Sequence, residues 1–336
     1  MANSKLDRYE GAMLGVAIGD ALGAPLEFMS ASSIQRKHGT VREMLGGGWL
    51  NVEPGEVTDD TQMTLAVAEG IIESPDSPEL AVGRNFLRWY RTNPKDIGGT
   101  CRAALAPMNG RDDAEIIDWM RNAEAVDTQM GGMTAGNGAL MRTVYPALYY
   151  GNVHTAGNIA GSIGKMTHWD TDSRDAVREY VRMVHTIANS DMAADKAREW
   201  ISIYSTTAHR MEEILQKTGR HPDPTGYSLA SFVCAVNAVL ETDSFEAALV
   251  YAVNLGGDAD TIGAIAGGLA GAVYGASEIP LRWVNALANK PNRKTVQLFH
   301  QSEGAAQEGE ANTLALRLLD LAHMAFWHNR QERSPE

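Results

Sequence analysis

Apolar residues recur along most of this chain at spacings of three and four residues, which is the period of an amphipathic α-helix. Two of the clearest runs are Leu65, Ala68, Ile71, Ile72 and Leu314, Leu318, Leu321, Ala322, Ala325, Phe326. Alternation with a period of two, which is typical of half-buried strands, is scarce. The pattern therefore predicts a compact all-α fold.

The ends of this periodicity, together with residues that commonly cap helices, place the individual helices on the chain. The predicted helices are Tyr9–Leu26, Asp60–Glu73, Pro78–Arg91, Ala139–Tyr149, Ser173–Ile187, Ala194–Thr218, Tyr227–Glu241, Ser244–Leu255, Asp260–Tyr274 and Thr313–His328. Longer connections are expected at Ser30–Pro54, Pro107–Gly138 and Lys290–Asn312, and such loops are commonly functional or mobile. We expect one domain over residues 5–330 and a disordered tail at residues 331–336.

Two of the predicted helices carry glycine at every fourth position. They have Gly11, Gly15, Gly19, Gly23 in the first and Gly263, Gly267, Gly271, Gly275 in the second. Glycine inside a helix costs about 0.8–1 kcal/mol per position relative to alanine, so a packing benefit should offset so many of them. A helix face without side chains lets two backbones approach closely. We expect these faces to pack tightly in the core.

Composition bounds the class of protein. The chain has 336 residues, of which 44% are hydrophobic, and this is enough to bury a large core. Its formal net charge of −13, from 42 acidic and 29 basic residues, argues against non-specific nucleic-acid binding. Only Cys101 and Cys234 are present, without a CxxC pair, so neither a disulfide framework nor a zinc–thiolate site is indicated.

The location of the protein is expected to be cytoplasmic. The first residues, Met1–Glu10, are polar and lack the apolar segment of a signal peptide. The uncharged stretch Thr143–Gly164 is interrupted by polar residues, and Thr261–Ser277 is short and rich in glycine and alanine. We therefore expect a protein that is not integral to a membrane, that is a monomer, and that acts on a small or protein-borne substrate.

Two short acidic segments far apart in the chain carry the strongest chemical signal. They are Thr58–Asp59–Asp60–Thr61 and Gly256–Gly257–Asp258–Ala259–Asp260–Thr261. Hard divalent cations such as Mg²⁺ and Mn²⁺ take carboxylate, hydroxyl and water oxygens as ligands. The four carboxylates would neutralise two such ions, and pairs of ions about 3.5–4 Å apart can hold a water and substrate oxygens together.

We therefore predict two divalent cations, Mg²⁺ or Mn²⁺, held by Thr58, Asp59, Asp60, Asp258, Asp260 and Thr261. The plainer interpretation is that each segment is only a helix start, with Thr58 or Asp258 as the N-cap. Residues i and i+2 of a helix lie on different faces, so Asp258 and Asp260 converge only from an irregular turn. The Gly256–Gly257 pair permits such a turn.

Nucleotide-binding fingerprints are absent: there is no GxGxxG, and the chain around Gly164–Lys165 does not match a P-loop. Backbone amides at helix starts can still hold a phosphate group. Gly98–Gly99–Thr100 and Gly136–Asn137–Gly138 are candidates, although each is equally explained as an ordinary turn. Taken alone, Asp96 is a helix cap, His168 a structural histidine and Glu27 a surface acid.

Four segments together resemble the ADP-ribosylglycohydrolase family: Gly11–Phe28, Val57–Thr64, Ala135–Arg142 and Asn254–Gly268. Their order and spacing are similar across most of the chain. Gly46–Trp49, Pro54–Gly55 and Asp96–Arg102 look like the bacterial dinitrogenase-reductase-activating type. The resemblance implies a single-domain orthogonal helix bundle with a binuclear Mg²⁺ or Mn²⁺ site that removes ADP-ribose from modified side chains.

The resemblance also implies roles for individual residues. The metal ligands of the two acidic segments match its motifs, and Asp59 or Asp60 would orient or deprotonate the attacking water. Glu27 matches an acid on the loop that gates the site, Asp96 an acid that contacts the substrate ribose, and His168 a histidine at the edge of the site. The residues that fall where ADP-ribose is cradled are Gly98, Gly99, Thr100, Gly136, Asn137 and Gly138.

The expected reaction cleaves the bond between the anomeric ribose carbon and a guanidinium nitrogen of arginine, through an oxocarbenium-like transition state. The vicinal ribose hydroxyls would chelate the two cations, and the cations would activate a water. Guanidine is strongly basic and leaves protonated, so Asp96 or Glu27 would stabilise positive charge instead of acting as a strong acid.

Several alternatives stay open at this point. Other ADP-ribose linkages, to serine, an acyl ester or a nucleic-acid end, are possible substrates. A non-catalytic ADP-ribose-binding relative, of the kind found among lens crystallins, and a toxin-immunity protein are the others, although only ten residues precede Gly11 to form an occluding arm. The segment Trp169–Pro224 is longer and more charged than the resemblance suggests, which leaves the ADP-ribosylated target protein and any regulatory protein partner open.

Overall fold

The structure is a computed structural model that describes residues 4–111, 113–287, 292, 295, 298 and 313–333. Within these residues the chain is all-α, with sixteen α-helices and three isolated β-bridges but no strand. The helices are α1 Lys5–Gly23, α2 Ala31–His38, α3 Asp59–Glu73, α4 Glu79–Tyr90, α5 Gly99–Leu105, α6 Ile116–Gln129, α7 Val144–Tyr149, α8 Val153–Lys165, α9 Thr171–Ala188, α10 Ala194–Thr207, α11 His209–Thr218, α12 Ser228–Leu240, α13 Phe245–Asn254, α14 Ala259–Tyr274, α15 Leu281–Leu287 and α16 Leu314–Arg333.

Helices α1 and α14 form the centre of the molecule and pack along their glycine faces. Gly15 lies against Gly267, and Gly19 lies against Gly263, so closely that a Cβ atom on any of these would overlap the backbone of the partner helix. Gly11 lies near Gly271 at the other end, so the two helices are antiparallel. The expected tight packing of each glycine face in the core is confirmed, and the structure shows that the two faces pack against each other.

The other helices surround this central pair. Helices α12 and α13 pack on α14, α16 packs on α1, and α3 with α4 and α8 with α9 form flanking pairs. Local signals fix several helix starts: Ser4, Asn152 and Ser244 each accept a backbone N–H of the first turn of the following helix. A continuous cluster of buried apolar side chains runs through all of these helices. Its continuity holds the ends of α1, α3 and α14 in fixed positions.

The helix predictions were wrong at two places and incomplete at others. Only Val144–Tyr149 is α-helical within the predicted Ala139–Tyr149, preceded by a 3₁₀ turn at Asn137–Ala139. The predicted helix Ala194–Thr218 is two helices, because Ala208 is extended with ψ 126°. The helices that were not predicted are Ala31–His38, Gly99–Leu105, Ile116–Gln129, Val153–Lys165 and Leu281–Leu287.

The end of the chain also differs from expectation. Helix α16 continues to Arg333, so Gln331–Arg333, which were expected to belong to a disordered tail, are helical. Residues 334–336 and most of the expected connection Lys290–Asn312 lie outside the described residues. Across the part of the chain that is described, no helix is both long and apolar enough to cross a membrane.

Candidate active site

The two acidic segments lie together at one end of the central helix pair. Asp59 and Asp60 occupy the first turn of α3, and Asp260 occupies the first turn of α14. The hydroxyl of Thr261 donates to Oδ2 of Asp60 across 3.5 Å, although the two residues are 201 positions apart in the chain. Tertiary packing therefore joins the segments that the sequence analysis paired.

A third and a fourth part of the chain add carboxylates to this end. Oxygens of Glu27, Asp96 and Asp260 all lie within 4.8 Å of one another. Glu27 follows α1 and accepts a hydrogen bond from Nε1 of Trp49. Asp96 precedes α5, and Asp59 is near enough for the Asp96 charge to act on it. Both acids thus lie beside the two acidic segments.

Burial and mutual repulsion make the charged forms of these clustered acids unfavourable. Burial, followed by repulsion from neighbouring carboxylates, raises the pKa of Asp59, Asp60 and Asp260 well above its ordinary range. Burial raises the pKa of Glu27 to about 8 and that of Asp96 to about 6. Among the described residues, no Lys or Arg forms an ion pair with any of these groups.

The turn before α14 explains how Asp258 and Asp260 reach the same site. Gly256 and Gly257 have φ values of 73° and 65°, in the left-handed region that favours glycine. A side chain on Gly257 would overlap the carbonyl oxygen of Pro224, so the glycine turn and the chain around Pro224 are in close contact. The irregular turn that convergence of the two acids required is therefore present.

The plainer interpretation is that these residues only begin helices. It agrees with their positions in the chain but does not explain the contacts of their side chains. Thr58 is the N-cap of α3 and Asp258 that of α14, yet neither side chain accepts a hydrogen bond from its own helix. Asp258 instead accepts from Nδ2 of Asn137 at 2.9 Å. Thr58 is directed towards Asp20 and Asp60, with Oγ1 at 2.9 and 3.2 Å from their carboxylates.

Asp20 is a site residue that the sequence analysis missed. It is fully buried near the end of α1 and accepts from the backbone N–H of Thr58 at 3.0 Å and of Thr61 at 3.1 Å. The hydroxyl of Thr61 donates to it at 2.5 Å. Burial raises the pKa of Asp20 to about 6, against these hydrogen bonds, which favour the charged form. The one feature of the sequence that could have indicated Asp20 is that it is a lone acid on a helix with a glycine face.

The two glycine turns assigned to ADP-ribose lie side by side. Gly98 immediately precedes α5, and the position of a Cβ on Gly136 lies 3.8 Å from Oγ1 of Thr100. No atom lies within 4 Å of a Cβ placed on Gly98 or Gly99, so these glycines face open space. The ring of His168 lies against Gly136 and Gly138. These turns form a wall beside the acids.

The side chain of Asn137 is directed towards Asp258. Its side-chain amide donates to Oδ2 of Asp258 and to Oγ of Ser231, each at 2.9 Å. Its backbone N–H donates to the carbonyl of Gly226 at 2.9 Å. The side chain therefore positions Asp258, and the glycines on either side of it are left to line the adjoining surface.

The donor set at this end fits hard divalent cations. It consists of carboxylate and hydroxyl oxygens, which Mg²⁺ and Mn²⁺ prefer. Oδ1 of Asp60 is buried and has no hydrogen-bond partner in the described part of the chain. A divalent cation would provide the partner that this buried carboxylate oxygen lacks and would favour the charged forms of the carboxyl groups around it.

Comparison with known proteins identifies the family. The model for ADP-ribosylglycohydrolase matches residues 1–322. This chain belongs to the ADP-ribosylglycohydrolase family. A solved structure titled ADP-ribosylglycohydrolase-related protein complex superposes with a TM-score of 0.72 at 27% identity, covering 97% of this chain and 99% of that one. The all-α fold is therefore that of the family, as the sequence resemblance indicated.

Two curated relatives are similar over most of their length. ADP-ribosyl-(dinitrogen reductase) glycohydrolase of Rhodospirillum rubrum is 36% identical over 86% of this chain and 92% of the relative. An ADP-ribosylarginine hydrolase of Pseudomonas putida is 30% identical over 84% of this chain and 75% of the relative. Both relatives are hydrolases of ADP-ribosyl linkages by name.

Proposed function

We propose that the protein is a hydrolase, dependent on two divalent cations, that removes ADP-ribose from arginine side chains of a modified protein. The observation that carries this proposal is the convergence of Glu27, Asp60, Asp96 and Asp260 from four parts of the chain in a member of this family. The cations, Mg²⁺ or Mn²⁺, would be held by Thr58, Asp59, Asp60, Asp258, Asp260 and Thr261.

The cations would neutralise the carboxylates, bind vicinal ribose hydroxyls and supply the Lewis-acid chemistry that lowers the pKa of a water nucleophile. Asp59 and Asp60 lie in the first turn of α3, whose positive dipole end favours their charged forms. In those forms either carboxylate can orient the attacking water or accept its proton.

The position of Asp96 in the acidic cluster supports an arginine linkage in the substrate. The guanidinium of ADP-ribosyl-arginine is a cation in the substrate, and the departing guanidine takes up the proton that the attacking water releases. A carboxylate within hydrogen-bonding reach holds this cation by a charge-assisted hydrogen bond. Asp96 is partly exposed and lies within 4.8 Å of Glu27 and Asp260, so it is both accessible and part of the acidic cluster. The name of the relative from Pseudomonas putida supports the same linkage.

Asp96→Asn tests the linkage. The amide keeps the shape of the side chain but removes its charge, and a hydrogen bond to a charged group contributes about 1.5–3 kcal/mol, or roughly 10- to 100-fold in rate. We expect that loss on ADP-ribosyl-arginine and a much smaller loss on ADP-ribosyl-serine. The release of ADP-ribose from each substrate is the measurement, with and without EDTA followed by Mg²⁺ or Mn²⁺.

Asp243→Asn is the matched control, because Asp243 is exposed in the turn before α13. It should leave both rates unchanged. Equal cleavage of serine-linked and arginine-linked substrate by the unmodified enzyme would overturn the arginine assignment. Equal losses on both substrates in Asp96→Asn would instead place Asp96 on the ribose that they share.

A further inference from the structure

His168 presents one ring nitrogen to the wall of the site and the other to the interior. It follows α8 and is only 3% exposed. Nδ1 lies 2.8 Å from Oγ1 of Thr167. Nε2 lies 3.3 and 3.2 Å from the positions that Cβ atoms would take on Gly136 and Gly138. In the described part of the chain Nε2 has no hydrogen-bond partner, so an unpartnered ring nitrogen faces the glycine turns.

Behind this histidine lies a buried cation. Arg142 is completely buried, and its Nη2 donates to Oγ1 of Thr167 at 2.7 Å. Its other contacts are soft or apolar: Nη1 lies 3.7 Å from Sγ of Cys101, and the guanidinium lies 4.4 Å from the centre of the Phe86 ring. Burial raises the pKa of Cys101 to about 11, so that thiol stays neutral.

The Thr167 hydroxyl therefore has a defined direction. It has one hydrogen to donate and accepts from Arg142. The possible acceptors for its hydrogen are Nδ1 of His168 at 2.8 Å and the carbonyl of Gly164 at 3.4 Å. That carbonyl already accepts the backbone N–H groups of Thr167 at 3.2 Å and His168 at 3.0 Å. Nδ1 of His168 is closer and has no other donor, so the Thr167 hydroxyl donates to it.

The opposite tautomer, with the proton on Nδ1, would leave the Thr167 hydroxyl hydrogen only the Gly164 carbonyl at 3.4 Å as an acceptor. If Nδ1 of His168 carried the proton, Oγ1 of Thr167 would accept from both the imidazole and the Arg142 guanidinium. In the favoured arrangement the cation polarises the hydroxyl that donates to Nδ1, and such chains strengthen one another. A neutral imidazole has one proton, so an accepting Nδ1 leaves the proton on Nε2.

We propose that Arg142 and Thr167 are positioning residues that hold His168 as the Nε2–H tautomer, so that Nε2 donates to an oxygen of ADP-ribose bound against Gly136 and Gly138. The identity of that ligand rests on the proposed function, whereas the tautomer does not. Burial, and then the charge of Arg142, lowers the pKa of His168 to about 3, which keeps the ring neutral.

The tautomer is measurable on the unmodified protein without any activity assay. In ¹⁵N-histidine-labelled protein, the two ring nitrogens of each neutral imidazole give distinct shifts according to which carries the proton. His168→Gln identifies the His168 signals by their absence among the nine histidines. We expect protonated Nε2 and unprotonated Nδ1 at pH 7. A protonated Nδ1, or a charged ring, overturns the proposal.

Two pairs of variants connect the tautomer to binding. Thr167→Ser keeps the hydroxyl and should preserve the Nε2–H tautomer, whereas Thr167→Val removes it and should give a mixture of tautomers. The amide nitrogen of Gln occupies the place of Nε2, so His168→Gln should retain more affinity for ADP-ribose than His168→Asn. A lost neutral hydrogen bond corresponds to about 3- to 10-fold in the dissociation constant or KM, with kcat changed less.

Each outcome bears on a different claim. If Thr167→Val kept the same tautomer as the unmodified protein, Thr167 would not set it, and the proposal would fail. Should Thr167→Val not fold, the signals of the unmodified protein and Thr167→Ser still decide the tautomer. If the Nε2–H tautomer is found but ADP-ribose does not bind, the proposed function fails while the assignment of the tautomer stands.

Discussion

At the scale of single residues, two buried aspartates of the site have opposite surroundings. Asp20 accepts hydrogen bonds from Thr58 and Thr61, whereas Oδ1 of Asp60 has no partner in the described part of the chain. The Thr58 hydroxyl has one hydrogen, and Asp20 at 2.9 Å is its closer acceptor. When the Thr58 hydroxyl donates to Asp20, the lone pairs of its Oγ1 remain available on the side of Asp60. A hydroxyl that binds a metal needs such a free lone pair.

This contrast predicts opposite effects of the same substitution on metal-free protein. Asp20→Asn replaces an acceptor with an amide donor that faces N–H groups, and each buried group left unpaired costs about 1–3 kcal/mol. Asp60→Asn removes a buried ionisable group from a repelling cluster and leaves few hydrogen bonds broken. We expect urea unfolding to show a loss of about 2 kcal/mol for Asp20→Asn and no loss, or a gain, for Asp60→Asn.

Both variants should lose hydrolysis of ADP-ribosyl-arginine, so stability separates their roles where activity does not. Circular dichroism should show that Asp60→Asn retains its helical fold. If Asp60→Asn were as destabilised as Asp20→Asn without metal, Asp60 would have a structural role and the interpretation of its unpartnered oxygen would be wrong.

At the scale of elements, the antiparallel pair α1 and α14 sets the position of the site. The C-terminal end of α1 lies beside the N-terminal end of α14, because Gly23 packs against Ala259. The N-terminal end of α3 lies there too, joined through Asp20. Positive ends of two helix dipoles thus face the carboxylates and offset part of their repulsion. Displacement of α1 against α14 would separate the acidic segments.

Gly15→Ala tests this pairing. Its Cβ would overlap the backbone of Gly267, which cannot rotate away as a side chain can, so the helices must separate. Overpacking usually costs about 1–3 kcal/mol, and we expect a loss at or above the upper end of that range. Gly157→Ala is the control: Gly157 is inside α8 with no atom within 4 Å of its Cβ position. It should gain about 0.5–1 kcal/mol from helix propensity.

Chemical unfolding of the two variants is the measurement. Activity should fall in Gly15→Ala even where the protein remains folded, because the site depends on the approach of α1 to α14. Equal stability of Gly15→Ala and Gly157→Ala would contradict the packing of the glycine faces.

At the scale of the whole molecule, the buried acids couple stability to pH and to cations. The folded-state pKa values are about 6 for Asp20 and Asp96 and about 8 for Glu27, above ordinary values of about 3.9 and 4.3. The folded metal-free protein therefore binds more protons than the unfolded chain between about pH 4 and 8. Since protons are released as the pH rises through this range, these groups lower the stability of the folded state there.

We expect the melting temperature of the EDTA-treated protein to fall between pH 5 and pH 8. Mg²⁺ or Mn²⁺ should raise it more at pH 8, because cations bind the ionised carboxylates. At a concentration of 100 times Kd, one bound ion contributes about 2.7 kcal/mol, which corresponds to roughly 4 °C for a protein of this size. Scanning calorimetry checks this, and Asp60→Asn should show a smaller shift. A shift that is equal at both pH values would contradict the binding of the cations to these carboxylates.

Much of this molecule could be predicted from its sequence because the signals are local. The periodicity of Leu65–Ile72 and Leu314–Phe326 indicated helices, since burying an apolar face requires it, and α3 and α16 contain these runs. The two glycine faces indicated close packing, because a packing benefit should offset the cost of so many helical glycines. The acidic segments pointed to oxygen chemistry because four carboxylates in two short stretches need either cations or protons.

The sequence paired the two acidic segments, but only the tertiary structure could decide which other distant groups meet. Asp20 lies 38 positions from Thr58, and no local pattern links a lone acid on α1 to a helix start. The same holds for Asn137 and Asp258, 121 positions apart, and for Arg142 behind Thr167. The missed helix Val153–Lys165 contains three glycines, which weaken its propensity, and packing against α9 stabilises it instead. Propensity and periodicity act over neighbouring residues, whereas burial and hydrogen-bond partners are set by the packing of the whole chain.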